Sequence, residues 1–94
     1  MSDYIIRDDI DLEVHRERLR QDAKWGEQNH DPIVWSAILG EESGEFTKSA
    51  LHFTFGGNEA AGLRAEAVQV AAVAKAIVEC CDRRTRCNPV HPVR

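Results

Sequence analysis

The sequence predicts an all-α protein, a three-helix subunit that forms helical bundles by homo-oligomerisation. Three long segments carry apolar residues at intervals of three and four, which is the period of a helix packed on one face. Residues that typically begin or end helices separate these segments. No segment shows the apolar and polar alternation that is typical of a strand. These observations favour helices packed on helices.

The length and charge of the chain limit its class. Its 94 residues predict a single domain, 1–94, and 12 Lys and Arg against 16 Asp and Glu give a net charge of −4. An acidic chain without a basic cluster is a poor partner for a nucleic acid polymer. No apolar run is long enough for a membrane span, and no signal peptide is evident. With three cysteines, an odd number, we expect free thiols and a cytoplasmic location.

The first helix is predicted over residues 11–24, after a short N-terminal arm at residues 1–10. Its apolar stripe, at Leu12 and Leu19, is thin. Gly26 then interrupts the helical pattern and is a plausible stop.

The second helix is predicted from Pro32 to Phe53, because Asp31 suits the N-cap and proline suits the first helical position. A glycine pair at 56–57 ends it. Asn58 is a good N-cap for a third helix that continues to about Arg84. An irregular C-terminal tail is predicted over residues 86–94.

The third helix is apolar on most of its faces. Between residues 67 and 78, only Gln69 and Lys75 are polar. Such a helix is usually buried from several sides, and two other helices in so short a chain cannot cover it. We therefore expect a homodimer or homotetramer in which this helix packs against its own copy.

Carboxylates interrupt the apolar seams of the second and third helices. Both seams follow alternating spacings of four and three, the pattern of helices packed on each other. The two series are Trp35, Leu39, Glu42, Phe46, Ser49, Phe53 and Glu66, Val70, Val73, Ile77, Cys80. Glu42 and Glu66 therefore occupy positions that normally face a core.

A cluster of buried carboxylates favours a bound divalent cation. Glu41 and Glu45 lie on roughly the same side of the helix as Glu42. A string of this kind, taken alone, is most often a solvated face. Its position in a seam instead indicates burial, and a divalent cation would keep buried carboxylates ionised. Oxygen ligands suit Mg²⁺ or Mn²⁺.

Two sequence motifs carry a resemblance to a known family. Residues 25–30 read WGEQNH, residues 35–45 read WSAILGEESGE, and residues 63–74 read LRAEAVQVAAVA. Together they resemble the MazG-like proteins of the all-α nucleoside triphosphate pyrophosphohydrolase superfamily. The resemblance covers roughly residues 15–82 and implies cleavage of a nucleoside triphosphate between its α and β phosphates. The products would be a monophosphate and pyrophosphate.

The resemblance also implies a metal site. The family motif, Glu-x-x-Glu on one helix and Glu-x-x-Asp on the next, falls on Glu42 and Glu45 and then on Glu66 and Gln69. These four residues would hold Mg²⁺, with Mn²⁺ possible. Gln69 stands where an aspartate is usual, and a neutral amide binds the cation more weakly. The alternative is a catalytically weak or inactive MazG-like module that binds a nucleotide or a protein partner.

The remaining site residues follow from this interpretation. Glu41 is the candidate catalytic base or water-orienting group. Trp25, beside a glycine in a polar segment, either stacks on a nucleobase or simply packs. Lys24 and Lys48 are candidates for phosphate contacts.

Two other metal sites were considered and disfavoured. Glu27 and His30 match the Glu-x-x-His element of di-iron bundles, but the flanking glycine and proline favour a loop. A zinc set of Cys80, Cys81, Cys87 and His91 is also disfavoured, because adjacent helical cysteines point about 100° apart. We expect Cys80 and Cys81 to be core thiols and Cys87 to lie in the tail.

Overall fold

The computed structural model describes residues 3–56 and 60–87. These residues form three α-helices: α1 (Asp3–Trp25), α2 (Pro32–Phe55) and α3 (Ala60–Cys87). Within the described ranges there is no strand, so the all-α prediction with three helices is confirmed. The predicted oligomer stays a prediction.

Helix α1 is longer than predicted. It begins at Asp3, so residues 3–10 form its first turns rather than an arm. No glycine or proline interrupts these residues, and an acidic residue in the first turn suits the helix dipole. The helix ends where predicted, because Gly26 adopts a left-handed φ of 74° and its N–H donates to Asp22 O at 2.8 Å.

The boundaries of α2 are close to the prediction. Asp31 is the N-cap in extended conformation, Pro32 is the first helical residue, and Asp31 O accepts a hydrogen bond from the Trp35 N–H at 3.1 Å. The helix continues two residues beyond Phe53. It is capped where the Gly56 N–H donates to His52 O at 3.1 Å.

Helix α3 runs past its predicted end. It extends beyond Arg84 to Cys87, so the first two residues of the predicted tail are helical. The predicted cap Asn58 and residues 88–94, including His91, lie outside the described residues. Cys80 is buried as expected, whereas Cys81 is exposed, because its neighbour already occupies the inward direction of the helix.

Helix α3 is the central element, and both other helices pack on it. Trp35, near the start of α2, packs against Ala76 and Cys80 near the end of α3, so these two helices are antiparallel. Within the described residues, the backbones of α1 and α2 do not approach each other. The subunit therefore has a gap between its two outer helices.

The two predicted seams differ in how well they are buried. All five seam residues of α3 are buried or half-buried, as predicted. In α2, Trp35 is buried and Leu39 and Ser49 are half-buried, but Phe46 and Phe53 are exposed. The second half of α2 is therefore less covered by the described part of the chain than the first half.

An ion pair joins α1 to α3. The buried guanidinium of Arg18 donates from Nε to Glu79 Oε2 at 3.1 Å and from Nη2 to Glu79 Oε1 at 2.5 Å. It also donates to Asp22 Oδ1 at 3.1 Å. The hydrogen bonds from Arg18 lower the pKa of the Glu79 carboxyl. A two-point arginine–carboxylate contact of this kind is strong and directional.

Large apolar side chains remain exposed, chiefly on α1 and α2. Ile33 and Phe55, near the two ends of α2, are each 80% exposed, and Tyr4 on α1 is 69% exposed. On α3, the one large apolar residue exposed among those described is Val78. The outer helices therefore cover α3 more completely than expected, and the apolar surface available to another copy lies mainly on them.

No described helix combines the length and apolarity needed to cross a membrane.

We predict that Glu79→Gln destabilises the protein by about 1–3 kcal/mol at pH 7, because Arg18 then loses a charged, partly buried partner. The pKa of Glu79 lies below its ordinary value of 4.5 in the folded state. The stabilisation is therefore present above pH 4.5 and is lost as the pH falls through the lower value. Urea unfolding of wild type and variant from pH 3 to 7 measures the difference. Asp11→Asn is the control, since this exposed carboxylate of α1 forms no ion pair with another described residue.

We predict that the protein is a homo-oligomer held by the exposed apolar residues of α2. Light scattering should give a multiple of the 10.6 kDa subunit mass. The double variant Ile33→Glu, Phe55→Glu should shift it towards the monomer, because two charges would be buried unpaired. Thr54→Glu, on the same helix and exposed, should not. A wild-type monomer at micromolar concentration would contradict the prediction.

Candidate functional site

The gap between α1 and α2 forms a cleft of about 250 Å³ whose floor is α3. We call it the interhelical cleft. It exists because the two outer helices contact α3 without contacting each other in the described part of the chain. Three helices and the α1–α2 loop contribute its lining: Gln21, Trp25, Gln28, Trp35, Ile38, Glu41, Glu42, Gln69, Val73 and Ala76.

The loop of residues 26–31 is fixed to α3, and this places Gln28 at the cleft. Arg83 donates from Nη2 to the Gln28 carbonyl oxygen at 3.0 Å and to Asn29 Oδ1 at 2.9 Å. As predicted, Glu27 and His30 lie in this loop and not on a helix. The loop wall of the cleft is therefore held in place by a cation of the central helix.

Trp35 forms part of the cleft wall and of the core. It is 5% exposed, and the His30 ring meets it edge-on with a centroid distance of 4.8 Å. The indole Nε1 of Trp35 and the imidazole Nε2 of His30 are both buried without a hydrogen-bond partner among the described residues. Trp35 therefore belongs to the core, as its seam position predicts, and its indole N–H is an unused donor.

The carboxylate of Glu42 is half-buried in this cleft and is electrostatically strained. Its pKa is raised, first by burial and then by the negative charge of Glu66 on α3. Glu41 and Glu45 on its own helix and Glu17 on α1 raise it further. Negative charge from three helices therefore converges on one side chain.

The predicted metal ligands do not all line the same surface. Glu42 and Gln69 line the interhelical cleft, and Glu66 lies close enough to influence the charge of Glu42. Glu45 lies instead in a shallow outer groove along α2, which it shares with Lys48. The candidate base Glu41 is at the cleft and exposed.

The two predicted substrate-binding residues at the end of α1 are found together. Trp25 is 56% exposed and lines the cleft. The Lys24 ammonium lies 4.7 Å from the centroid of the Trp25 ring, within the range of a cation–π contact. Lys48 is separated from this pair, because it lies in the outer groove of α2.

Glu17 and Gln21 are buried residues of α1 that the sequence pattern does not indicate, and Gln21 also lines the cleft. Both are buried on the face of α1 that contacts α3, together with Val14 and Arg18. Glu17 Oε1 accepts a hydrogen bond from Arg20 Nε at 2.8 Å. The buried positions 14, 17, 18 and 21 have helical spacing, but three of the four residues are polar. They therefore lack the apolar pattern that predicts a buried helix face.

The donor chemistry of the cleft fits a hard divalent cation. None of the carboxylates of Glu41, Glu42, Glu45 and Glu66 forms an ion pair with another described residue, and oxygen ligands suit Mg²⁺. Across the described residues, no group of three or more His, Cys, Asp or Glu side chains is positioned to hold a metal ion. One or two carboxylates with waters and substrate phosphates are the usual complement of Mg²⁺.

Comparison of the chain with protein-family models, curated proteins and solved structures gave no match. The resemblance to MazG-like proteins therefore depends on the sequence motifs alone.

We predict that millimolar Mg²⁺ or Mn²⁺ raises the melting temperature of the wild type. A cation that binds only the folded state and is present at a concentration 100 times its Kd adds about 2.7 kcal/mol to the free energy of unfolding. Glu42→Gln should abolish this increment. It should also raise the melting temperature without metal at pH 7, because ionised Glu42 opposes folding. Differential scanning calorimetry with Glu13→Gln as control measures both. A wild-type melting temperature that divalent cations leave unchanged would contradict the prediction.

Proposed function

We propose that the protein is a Mg²⁺-dependent nucleotide pyrophosphohydrolase that acts as a homodimer or homotetramer. It would convert a nucleoside triphosphate to a monophosphate and pyrophosphate. The observation that carries the proposal is one cleft that combines a strained carboxylate, Glu42, with an exposed aromatic ring, Trp25. Carboxylates suit the metal-bound phosphate end of a nucleotide, and the aromatic ring suits its base.

The carboxylates provide the metal end of the proposed site. Bound Mg²⁺ would supply charge neutralisation for the phosphate oxygens and an acidified water. Glu42 and Glu66 would hold the cation from facing helices, with Gln69 as a neutral oxygen donor one turn after Glu66. Glu45 lines the outer groove of α2 rather than the cleft, so it would act on the cation through its charge and not as a direct ligand.

Glu41 is the proposed catalytic residue. It lies at the cleft beside Glu42, and its side chain is exposed to solvent. A carboxylate in this position can accept a proton from an attacking water and orient that water towards phosphorus. Its greater exposure distinguishes it from half-buried Glu42, which we assign to metal binding.

Residues at the end of α1 would contact the rest of the substrate. Trp25 would stack on the base, and Lys24, held beside the same ring, would contact a phosphate. Lys48 would reach a phosphate only from a substrate that extends past Glu45 into the outer groove.

A second candidate is a nucleotide-binding module without turnover, and Gln69 is the observation that favours it. Gln69 lines the cleft close to the carboxylates but adds no negative charge. Fewer charges around Mg²⁺ weaken its binding, so a nucleotide could be bound without efficient hydrolysis.

We predict pyrophosphate release from at least one nucleoside triphosphate in a panel assayed with Mg²⁺. Glu42→Gln should lower kcat/KM at least 100-fold, an effect of about 2.7 kcal/mol on the transition state. Glu13→Gln, an exposed change outside the cleft, should leave the rate unchanged. Coupled pyrophosphate detection and chromatography of the monophosphate give both products.

Gln69→Asp separates the two candidates. An added carboxylate should tighten Mn²⁺ binding and raise the rate if Gln69 lies beside the cation. Nucleotide binding without pyrophosphate release, in both wild type and Gln69→Asp, would support the non-catalytic module and contradict the enzyme.

A further inference from the structure

We propose that the end of the interhelical cleft beside Gln21 and Trp25 is a nucleobase subsite and that Gln21 selects bases with an exocyclic oxygen on the edge remote from the sugar. Bases of this kind are the uracil, thymine, hypoxanthine and guanine class. The inference rests on the proposed function, because it names the substrate class for the same site.

The glutamines of the chain converge on this cleft. The sequence contains three, and all of them line it: Gln21 from α1, Gln28 from the loop and Gln69 from α3. Amides offer donors and acceptors without charge, which is the chemistry that reads the edge of a base. Gln69 is assigned to the cation, so Gln21 and Gln28 provide the uncharged polar lining on the side of α1 and the loop.

The orientation of the Gln21 amide is fixed by its neighbour. Arg18 Nη1 donates to Gln21 Oε1 at 2.9 Å. Because a guanidinium can only donate, the amide oxygen must face Arg18 and the NH₂ group must face away. Arg18 is held in turn by Glu79, so the amide cannot exchange its two ends without breaking this contact.

Gln21 therefore presents a donor to the cleft. Gln21 is 6% exposed and lines the cleft. Its NH₂ group has no hydrogen-bond partner in the described part of the protein. A ligand acceptor would satisfy this donor, whereas an amino group would not.

The size and floor of the cleft suit a planar ring. Its volume of about 250 Å³ is below the roughly 300–1,000 Å³ of sites for drug-sized ligands, so it fits a base better than a whole nucleotide. Ile38, Val73 and Ala76 provide apolar surface, and the half-exposed Trp25 ring can cover one face of the base. The carboxylates at the cleft would keep a free phosphate out.

The test uses two nucleosides without phosphate and without metal: inosine and purine riboside, which lacks the 6-oxygen. We expect wild type to bind inosine roughly 3- to 10-fold more tightly in calorimetric titrations, the range for one hydrogen bond. Gln21→Met, similar in length but without a donor, should bind the two equally. Arg16→Met, on an exposed part of α1, should keep the preference.

The wild-type comparison needs no variant and decides the proposal even if Gln21→Met fails to fold. Equal affinities for the two nucleosides, or no binding of either, would overturn it. A preference that persists in a folded Gln21→Met protein would overturn the role of Gln21.

These outcomes are separate from those of the hydrolysis assay. Pyrophosphate release without a nucleoside preference would remove the base subsite and leave the proposed function standing. A nucleoside preference without pyrophosphate release would support the subsite and remove the hydrolase.

Discussion

The ion pair between Arg18 and Glu79 is the contact on which the rest of the structure depends. Of the four buried residues in Asp3–Trp25, only Val14 is apolar, so α1 has little hydrophobic surface with which to hold its place on α3. The two-point contact to Glu79 supplies the missing specificity. Together with the exposed two-point pair of Glu13 and Arg64, it joins α1 to α3 on one side of the cleft.

The same guanidinium links the fold to the candidate site. Arg18 holds the oxygen of Gln21, and three residues further α1 brings Lys24 and Trp25 to the end of the cleft. The carboxylates on the other side work against stability, since burial and neighbouring charge both raise the pKa of Glu42. The clustered carboxylates around Glu42 lower the stability of the folded state. Local destabilisation of this kind is typical of binding or catalytic surfaces.

Much of the architecture follows from local sequence signals. Gly26 and the Asp31-Pro32 pair give the helix boundaries because their backbone preferences are intrinsic and need no tertiary context. Glu42 and Glu66 were found because they interrupt apolar seams, and their mutual charge effect agrees with that register. The predicted start of α1 at residue 11 is wrong, because α1 begins at Asp3. A helix stabilised by packing can extend through residues of weak helix propensity.

The polar half of the cleft could not be predicted from an apolar pattern. Leu12 and Leu19 form the visible stripe of α1, yet both are exposed, while Glu17 and Gln21 are buried and Gln21 lines the cleft. Burial there depends on a partner 61 residues away, Glu79, which neutralises Arg18 and allows a polar face to pack. Such long-range pairing has no local sequence signal, and neither does the difference in surroundings between Glu45 and Glu42.

The central claim is that Glu42 and Glu66 hold a divalent cation between facing helices. Substoichiometric Mn²⁺ added to ¹⁵N-labelled protein tests it most directly, because a bound paramagnetic ion broadens only nearby amide signals. Signals of Glu42, Glu66 and Gln69 should disappear first and saturably, while those near Arg84 persist, and Glu42→Gln should remove the effect. Uniform broadening without saturation, or selective loss around another part of the chain, would contradict the claim.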